Sequence, residues 1–160
     1  MTKIVIIYDS KSGNTEKMAK AVEEGAKTVK GVETELHNAG TRFPISVLDK
    51  ADAIVLGSPS IYGLPTSEMR DFLDAAIELK RAKKLQLDGK IGGVFGSYGW
   101  DGGYIVDRLA ETLKTLGIKL VPPMVSAVDR MGMMGVRIDG ESLQKCRELG
   151  KAVAEKSAKA

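Results

Sequence analysis

The chain has few of the residues from which proteins build disulfides and metal centres. Its 160 residues include one cysteine, Cys146, and one histidine, His37. A single cysteine excludes an internal disulfide and fits a reducing compartment, so we expect a cytoplasmic protein. Two such residues are also too few to assemble a metal site from His and Cys ligands. We therefore expect no metal centre in this chain.

The sequence also lacks long apolar runs and a strong net charge. No apolar run approaches the length of about 20 residues that spans a membrane, so no membrane insertion is expected. The chain enters a strand pattern almost at once, which predicts no signal peptide. The net charge is +3, and lysine and arginine are spread among acidic residues, so nucleic-acid binding is not indicated. The length fits one domain covering residues 1–160.

The sequence contains a regular alternation of strand and helix patterns. Short runs of β-branched and other apolar residues predict five strands, at residues 3–8, 32–38, 53–57, 91–96 and 118–121. Apolar residues between and after them recur at helical spacing, with Thr66 or Ser67 as the cap of one helix. Pro122 and Pro123 indicate that the fifth strand bends or lies near an edge. This order predicts a doubly wound α/β sheet, in which ligands bind beyond the carboxyl ends of the strands.

A turn rich in hydroxyl groups joins the first strand to the first helix. Its residues are Ser10, Lys11, Ser12, Gly13, Asn14 and Thr15. The first N–H groups of a helix and its dipole favour an anion at that end, and hydroxyl groups add further donors. The same residues also suit ordinary helix capping. The glycine-rich fingerprints of P-loop and dinucleotide-binding proteins are absent, so the turn predicts a site for a single phosphate.

Two further loops follow the third and fourth strands and carry large aromatic residues. The first contains Ser58, Pro59, Ser60, Ile61, Tyr62 and Gly63, and the second contains Ser97, Tyr98, Gly99, Trp100, Gly102 and Gly103. Large aromatics on loops are rarely needed for core packing, so we expect Tyr62, Tyr98 and Trp100 to contact a ligand. A structural alternative is that Trp100 covers a hydrophobic edge. Both loops are expected at the same sheet edge as the hydroxyl-rich turn.

Two features near the carboxyl end have a structural interpretation. Met124, Met131, Met133 and Met134 lie in a segment that the pattern does not assign. Their flexible side chains suit either a contact surface or the filling of gaps in the core. Cys146 falls on the apolar stripe of the last helix, which indicates a structural thiol.

With these motifs, the sequence resembles the flavodoxin family over nearly its whole length. The turn at residues 10–15 is similar to that family's phosphate loop, in which hydroxyl residues flank a glycine. The likeness is strongest to the flavodoxin-like domain of flavodiiron proteins, through residues 94–100 and 146–150. Residues 58–63 are also similar to NAD(P)H:quinone oxidoreductases of flavodoxin fold. The resemblance implies a five-stranded parallel sheet in the order 2-1-3-4-5, with helices on both faces.

The resemblance also implies a cofactor and an activity. FMN would place its phosphate in the turn at residues 10–15 and its isoalloxazine ring between the two aromatic loops. The implied function is transfer of single electrons between redox protein partners, with no catalytic residue; the alternative is an FMN-dependent NAD(P)H:quinone-type oxidoreductase. In the family, a backbone carbonyl near the position of Tyr62 and Gly63 accepts a hydrogen bond from flavin N5 after reduction. Oxygen or nitric oxide reduction is not implied, because the metal-binding domain of flavodiiron proteins is lacking.

A receiver domain of similar topology is a further alternative without flavin. Such a domain needs a phosphorylatable Asp at the end of the third strand. This chain has Gly57 and Ser58 there instead. The sequence therefore argues against a receiver.

Overall fold

The structure is a computed structural model that describes residues 1–129 and 138–159. These residues form six strands and five helices in an alternating order. The strands are β1 (Thr2–Tyr8), β2 (Val32–Asn38), β3 (Ala53–Pro59), β4 (Ile91–Tyr98), β5 (Lys119–Leu120) and β6 (Val125–Val128). The helices are α1 (Asn14–Lys27), α2 (Val47–Lys50), α3 (Ser67–Arg81), α4 (Ile105–Thr115) and α5 (Gly140–Lys159).

The strands form one parallel sheet in the order β2-β1-β3-β4-β5. The central strands β1, β3 and β4 are buried almost throughout, which is why they read in the sequence as continuous apolar runs. Two separate clusters of buried apolar side chains cover the two faces of the sheet. The predicted doubly wound α/β fold and its strand order are therefore confirmed.

The edge strand differs from its prediction as a single strand at residues 118–121. β5 pairs with the start of β4, and β6 pairs with the end of β4, both in parallel. Pro122 and Pro123 lie between the two pieces, and proline has no N–H group with which to continue a hydrogen-bonded ladder. The prediction of an edge position is confirmed, and β6 is an additional sixth strand.

The two aromatic loops begin later than the sequence pattern indicates. Ser58 and Pro59 belong to β3, and Ser97 and Tyr98 belong to β4, because the two strands remain paired as far as Pro59 and Ser97. Tyr98 also pairs with Val128 of β6. The assignment of these four residues to loops is therefore wrong, since strand partners that are distant in the chain extend the ladder.

The helices carry the expected caps and buried faces. The Thr66 hydroxyl accepts a hydrogen bond from the Met69 N–H at 3.3 Å, so Thr66 is the cap of α3. Cys146 is fully buried on α5, and this burial raises the pKa of its thiol to about 12. Met124 is exposed, whereas Met131, Met133 and Met134 lie outside the described residues. In the described part of the chain, no helix is both long and apolar enough to cross a membrane.

Candidate functional site

Three connections meet beyond the carboxyl ends of the central strands. They are the turn after β1 at residues 10–15, the loop after β3 at residues 60–66, and the loop after β4 at residues 99–104. We call them the hydroxyl turn, the hairpin loop and the tryptophan loop. β1, β3 and β4 are parallel neighbours, so their carboxyl ends lie side by side and bring the three connections together. The sheet topology thus brings together the three segments in which the sequence predicts site residues.

The hydroxyl turn leads directly into the first turn of α1. Gly13 precedes the helix with φ +95°, a left-handed conformation that favours glycine. The Ser10 Oγ accepts hydrogen bonds from the N–H groups of Gly13 at 3.1 Å and Glu16 at 3.2 Å. Ser10 therefore caps the helix, and its own hydroxyl proton remains free to point at a ligand. Both the capping interpretation and an anion site are compatible with this geometry.

The side chain of Lys11 contacts carboxylates on the opposite side of the turn. Its Nζ lies 3.4 Å from Asp9 Oδ2 and 3.1 Å from Glu68 Oε1. The hydrogen bond to Glu68 is the main cause that raises the pKa of Lys11. The ammonium group thus offsets two negative charges close to the hydroxyl turn. In this arrangement the Lys11 ammonium group is paired with two carboxylates.

A buried carboxylate links the hydroxyl turn to the hairpin loop. Asp9 is only 3% exposed, and its Oδ1 accepts a hydrogen bond from the Ser10 N–H at 2.8 Å. Its Oδ2 accepts one from the Thr66 hydroxyl at 2.5 Å. Thr66 also caps α3. The side chain of Asp9 therefore joins the hydroxyl turn to the hairpin loop, and the start of α1 to the start of α3.

A second buried contact links the hydroxyl turn to the end of β4. The hydroxyl groups of Thr15 and Ser97 lie 2.9 Å apart, and these residues are 1% and 3% exposed. Asn14 is also buried, and its Nδ2 donates to Ser12 Oγ at 3.0 Å. Of the predicted hydroxyl donors, Ser12 remains exposed and Thr15 serves an internal hydrogen bond.

The hairpin loop contains a tight two-residue turn. The backbone groups of Ile61 and Leu64 exchange two hydrogen bonds, of 2.8 and 3.0 Å. Between them, Tyr62 and Gly63 have φ values of +54° and +84°. Positive φ at both central positions defines a turn of type I′, and it costs a tyrosine about 1–2 kcal/mol. The turn places the Tyr62 ring beyond the carboxyl end of β3.

Asp101 links the hairpin loop to the tryptophan loop. Its Oδ2 accepts hydrogen bonds from the Ser60 hydroxyl at 2.5 Å and the Gly63 N–H at 3.2 Å. Asp101 is not among the residues predicted from the sequence, although its neighbours Trp100 and Gly102 are. An acidic residue between Trp100 and Gly102 on a ligand-facing loop was the signal that could have identified it. The hairpin loop is thus hydrogen-bonded to the tryptophan loop through Asp101 and to the hydroxyl turn through Asp9.

Two exposed aromatic rings contact each other edge to face and line a cleft beyond the carboxyl ends of the strands. Tyr62 and Trp100 are 83% and 84% exposed, and their ring centroids lie 6.3 Å apart at an interplanar angle of 73°. The cleft beside them measures about 320 Å³ and is also lined by Ser60, Gly99 and Asp101. Trp100 therefore does not cover a hydrophobic edge.

The third predicted aromatic, Tyr98, lies apart from this pair. A Cβ atom built on Gly103 would lie 2.9 Å from Cε1 of the Tyr98 ring. The Tyr98 ring thus packs against Gly103, and the missing side chain there makes room for it. Tyr104, which the sequence analysis did not consider, is 64% exposed on the same loop.

The groups at this edge fit a cofactor that has a phosphate and a planar ring. The hydroxyl turn offers N–H and hydroxyl donors at a helix start, and the aromatic pair offers two ring faces. A buried oxygen of Asp101 has no hydrogen-bond partner among the described residues, which marks a position for an external donor. Within residues 1–129 and 138–159, no cluster of three His, Cys, Asp or Glu side chains is suited to a metal ion. Fold and site together define a doubly wound α/β protein of the mononucleotide-binding type.

Comparison with known proteins identifies the family. The sequence profile described as "Flavodoxin" matches residues 6–148. A flavodoxin from Aquifex aeolicus is 31% identical over 166 aligned positions, which cover 97% of this chain and 86% of that protein. The chain belongs to the flavodoxin family. Members of this family bind FMN and transfer electrons to redox partners, and FMN is the cofactor of this protein.

Solved structures support the same conclusion. A flavodoxin from the domain Archaea is 29% identical with a TM-score of 0.82, and the alignment covers 98% of this chain and 99% of that one. The flavodiiron core of Flv1 from Synechocystis is 23% identical with a TM-score of 0.78, and it shares the fold. This chain covers 36% of that longer protein. The resemblance predicted from the sequence is therefore confirmed.

Proposed function

We propose that this chain is a single-domain electron carrier that passes single electrons between redox protein partners. The observation that carries the proposal is the contact of three loops at one sheet edge, with an anion-binding turn on one side and two exposed aromatic rings on the other. When bound, FMN supplies a ring that accepts and releases electrons one at a time. The residues of the three loops bind and orient that ring.

The hydroxyl turn is the proposed phosphate site. The N–H groups at the start of α1 and the exposed hydroxyl of Ser12 are the proposed donors, while Ser10 stabilises the turn through its two accepted hydrogen bonds. A hydrogen bond to a charged group contributes about 1.5–3 kcal/mol, against about 1–3 kcal/mol for one aromatic stack. Several donors face the phosphate but only two rings face the isoalloxazine. We therefore expect the phosphate contacts to dominate the affinity.

Tyr62 and Trp100 are the proposed faces of the ring site. A flavin ring stacked between the two side chains would lie about 3.5–4.0 Å from each of them. The two aromatic rings would then have to be parallel and about 7–8 Å apart. Since the rings now lie 6.3 Å apart at an angle of 73°, the proposal requires the pair to open and rotate to admit a planar ring. Both side chains are exposed, so this movement does not disturb the core.

The site also determines how electrons enter and how stable the reduced state is. The exposed aromatic pair places the cleft at the molecular surface, where a partner protein can approach it directly. The negative faces of the two rings and the carboxylate of Asp101 disfavour additional negative charge in the cleft. These groups therefore favour a low reduction potential, which suits a carrier.

Comparison of FMN with riboflavin tests the phosphate site. Two charge-assisted hydrogen bonds amount to at least about 3 kcal/mol, so riboflavin should bind about 100-fold more weakly than FMN when measured by fluorescence quenching. Ser12→Ala should weaken FMN binding and leave riboflavin binding unchanged. Ser67→Ala is the matched control, because Ser67 is exposed on α3 outside the hydroxyl turn. Equal dissociation constants for the two flavins would contradict the proposed phosphate site.

A steady-state assay separates the carrier from the enzyme alternative. The likeness of residues 58–63 to quinone oxidoreductases supports an FMN-dependent NAD(P)H:quinone-type oxidoreductase as the second candidate. FMN-loaded protein is mixed with NAD(P)H and a soluble quinone, and NAD(P)H consumption is followed by absorbance. A carrier gives no turnover above free FMN at the same concentration. Saturable turnover by the protein would favour the oxidoreductase.

A further inference from the structure

Asp101 uses one of its carboxylate oxygens and leaves the other without a donor. Oδ2 binds Ser60 and Gly63, as described above. Oδ1 is buried, and no donor within the described residues reaches it. Leaving a buried charged acceptor unpaired is costly, so such an oxygen in a native fold calls for a partner other than the described residues.

The position of this oxygen indicates what its partner is. Asp101 lines the cleft between Tyr62 and Trp100, the cleft into which the flavin ring fits under the proposed function. The oxidised flavin ring carries one N–H donor, at N3. A ring bound between Tyr62 and Trp100 would therefore lie beside Asp101, which lines the same cleft.

We propose that Asp101 is a flavin-binding residue whose Oδ1 accepts a hydrogen bond from the N3–H of the ring while its Oδ2 holds the hairpin loop in place. This inference rests on the proposed function, because it requires FMN in the cleft. It assigns to one carboxylate both a contact with the cofactor and the link between the two loops that enclose it.

The second part of the proposal concerns the peptide between Tyr62 and Gly63. This peptide is trans, so its N–H and C=O groups point in opposite directions. Asp101 and Ser60 both accept from the Gly63 N–H, at 3.2 and 2.9 Å. Reversing the peptide would turn the Tyr62 carbonyl oxygen towards a carboxylate. The charge on Asp101 therefore holds the peptide in its present orientation.

Asp101→Asn tests both parts with little change in volume. An amide offers an acceptor on one side and a donor on the other, so it cannot accept from Gly63 and from N3–H at once. Asp74→Asn is the matched control, because it removes the same charge from an exposed position on α3. Asp101→Ser is a second variant for the case in which Asp101→Asn is unstable, judged by the urea midpoint.

The binding test is a cycle with two proteins and two ligands. Wild type and Asp101→Asn are each titrated with FMN and with FMN methylated at N3. We expect wild type to lose at least tenfold in affinity on methylation, and Asp101→Asn to bind both ligands within about twofold of each other. Equal losses on methylation in the two proteins would overturn the contact with N3–H. If wild type does not bind FMN at all, the proposed function fails; if it binds FMN but the cycle shows no coupling, only this inference fails.

Two measurements test the role of the negative charge on Asp101 and its effect on the peptide between Tyr62 and Gly63. In the flavin-free protein, the Gly63 amide proton should move upfield in Asp101→Asn and stay unchanged in Asp74→Asn, because only the first substitution weakens its acceptor. In the loaded protein, the reduction potential should rise in Asp101→Asn alone, since a negative charge near the ring is removed. A Gly63 amide shift that is the same in all three proteins would overturn the positioning role.

Discussion

Helices α1 and α5 cross at two glycines, and this crossing offers a sharp test of how packing supports the site. A Cβ atom at Gly150 would lie 1.9 Å from the backbone carbonyl oxygen of Val22. A Cβ atom at Gly25 would lie 1.9 Å from that of Arg147. Each glycine thus lets the backbone of the other helix approach. We expect Gly150→Ala to force the two helices apart.

The size of the effect follows from the geometry. Carbon and oxygen atoms normally approach to about 3.3 Å, so the helices must separate by about 1.4 Å at Gly150. The contacted atoms are backbone, and no side-chain rotation can relieve them. Overpacking typically costs about 1–3 kcal/mol, and a contact with backbone atoms belongs at the upper end of this range, while the higher helix propensity of alanine returns about 1 kcal/mol. We expect a net loss of about 2 kcal/mol in the free energy of unfolding.

Urea unfolding measures this loss. With a slope of about 2 kcal/mol per molar urea, the midpoint should fall by about 1 M. Gly140→Ala is the control on the same helix, because nothing lies within 4 Å of its Cβ position, and its midpoint should not fall. Since α1 begins at the hydroxyl turn, Gly150→Ala should also weaken FMN binding. A midpoint equal to that of wild type would refute the packing argument.

Three further predictions concern the hydroxyl link, the hairpin turn and the buried thiol. Thr15→Val leaves the buried hydroxyl of Ser97 without its partner and should cost about 1–3 kcal/mol in urea unfolding, while the double variant with Ser97→Ala should recover part of this loss. If the double variant is no more stable than Thr15→Val, the hydroxyl pair does not contribute as described. Gly63→Ala meets no atom within 4 Å but keeps a φ of +84°, so it should cost about 1–2 kcal/mol and change the flavin potential. Gly89 also has a positive φ, of +86°, and no neighbour within 4 Å, and it precedes the amino end of β4, so Gly89→Ala should cost similar stability and leave the potential unchanged. Identical potentials for wild type and Gly63→Ala would argue against a role of the Tyr62 to Gly63 peptide. The Cys146 thiol has a pKa of about 12 in the folded chain against 9.0 when unperturbed, so the unfolded state loses its proton first, and stability should be full below about pH 9 and decline towards pH 12. A pH series of urea midpoints tests this, and a Cys146→Ala protein that shows the same decline would contradict it.

Much of the fold could be predicted because its signals are local. The apolar runs of β1, β3 and β4 and the stripe of each long helix are properties of short windows of sequence. The hydroxyl turn was recognisable for the same reason, since a strand, a glycine and a helix start follow one another directly. Strand ends were less predictable. Ser97 and Tyr98 extend β4 because they pair with residues of β3 and β6, which are distant in the sequence.

The sequence, through its resemblance to the flavodoxin family, determined the sheet order and the cofactor, and its motifs located the three connections of the candidate site. Only the tertiary structure decided which side chains join those connections. The hydrogen bonds between Thr15 and Ser97 and from the Ser60 hydroxyl to Asp101 span 82 and 41 positions of the chain. The physical reason is that a hydrogen bond depends on distances of about 3 Å in space, which spacing along the sequence does not specify until the strands have been placed side by side.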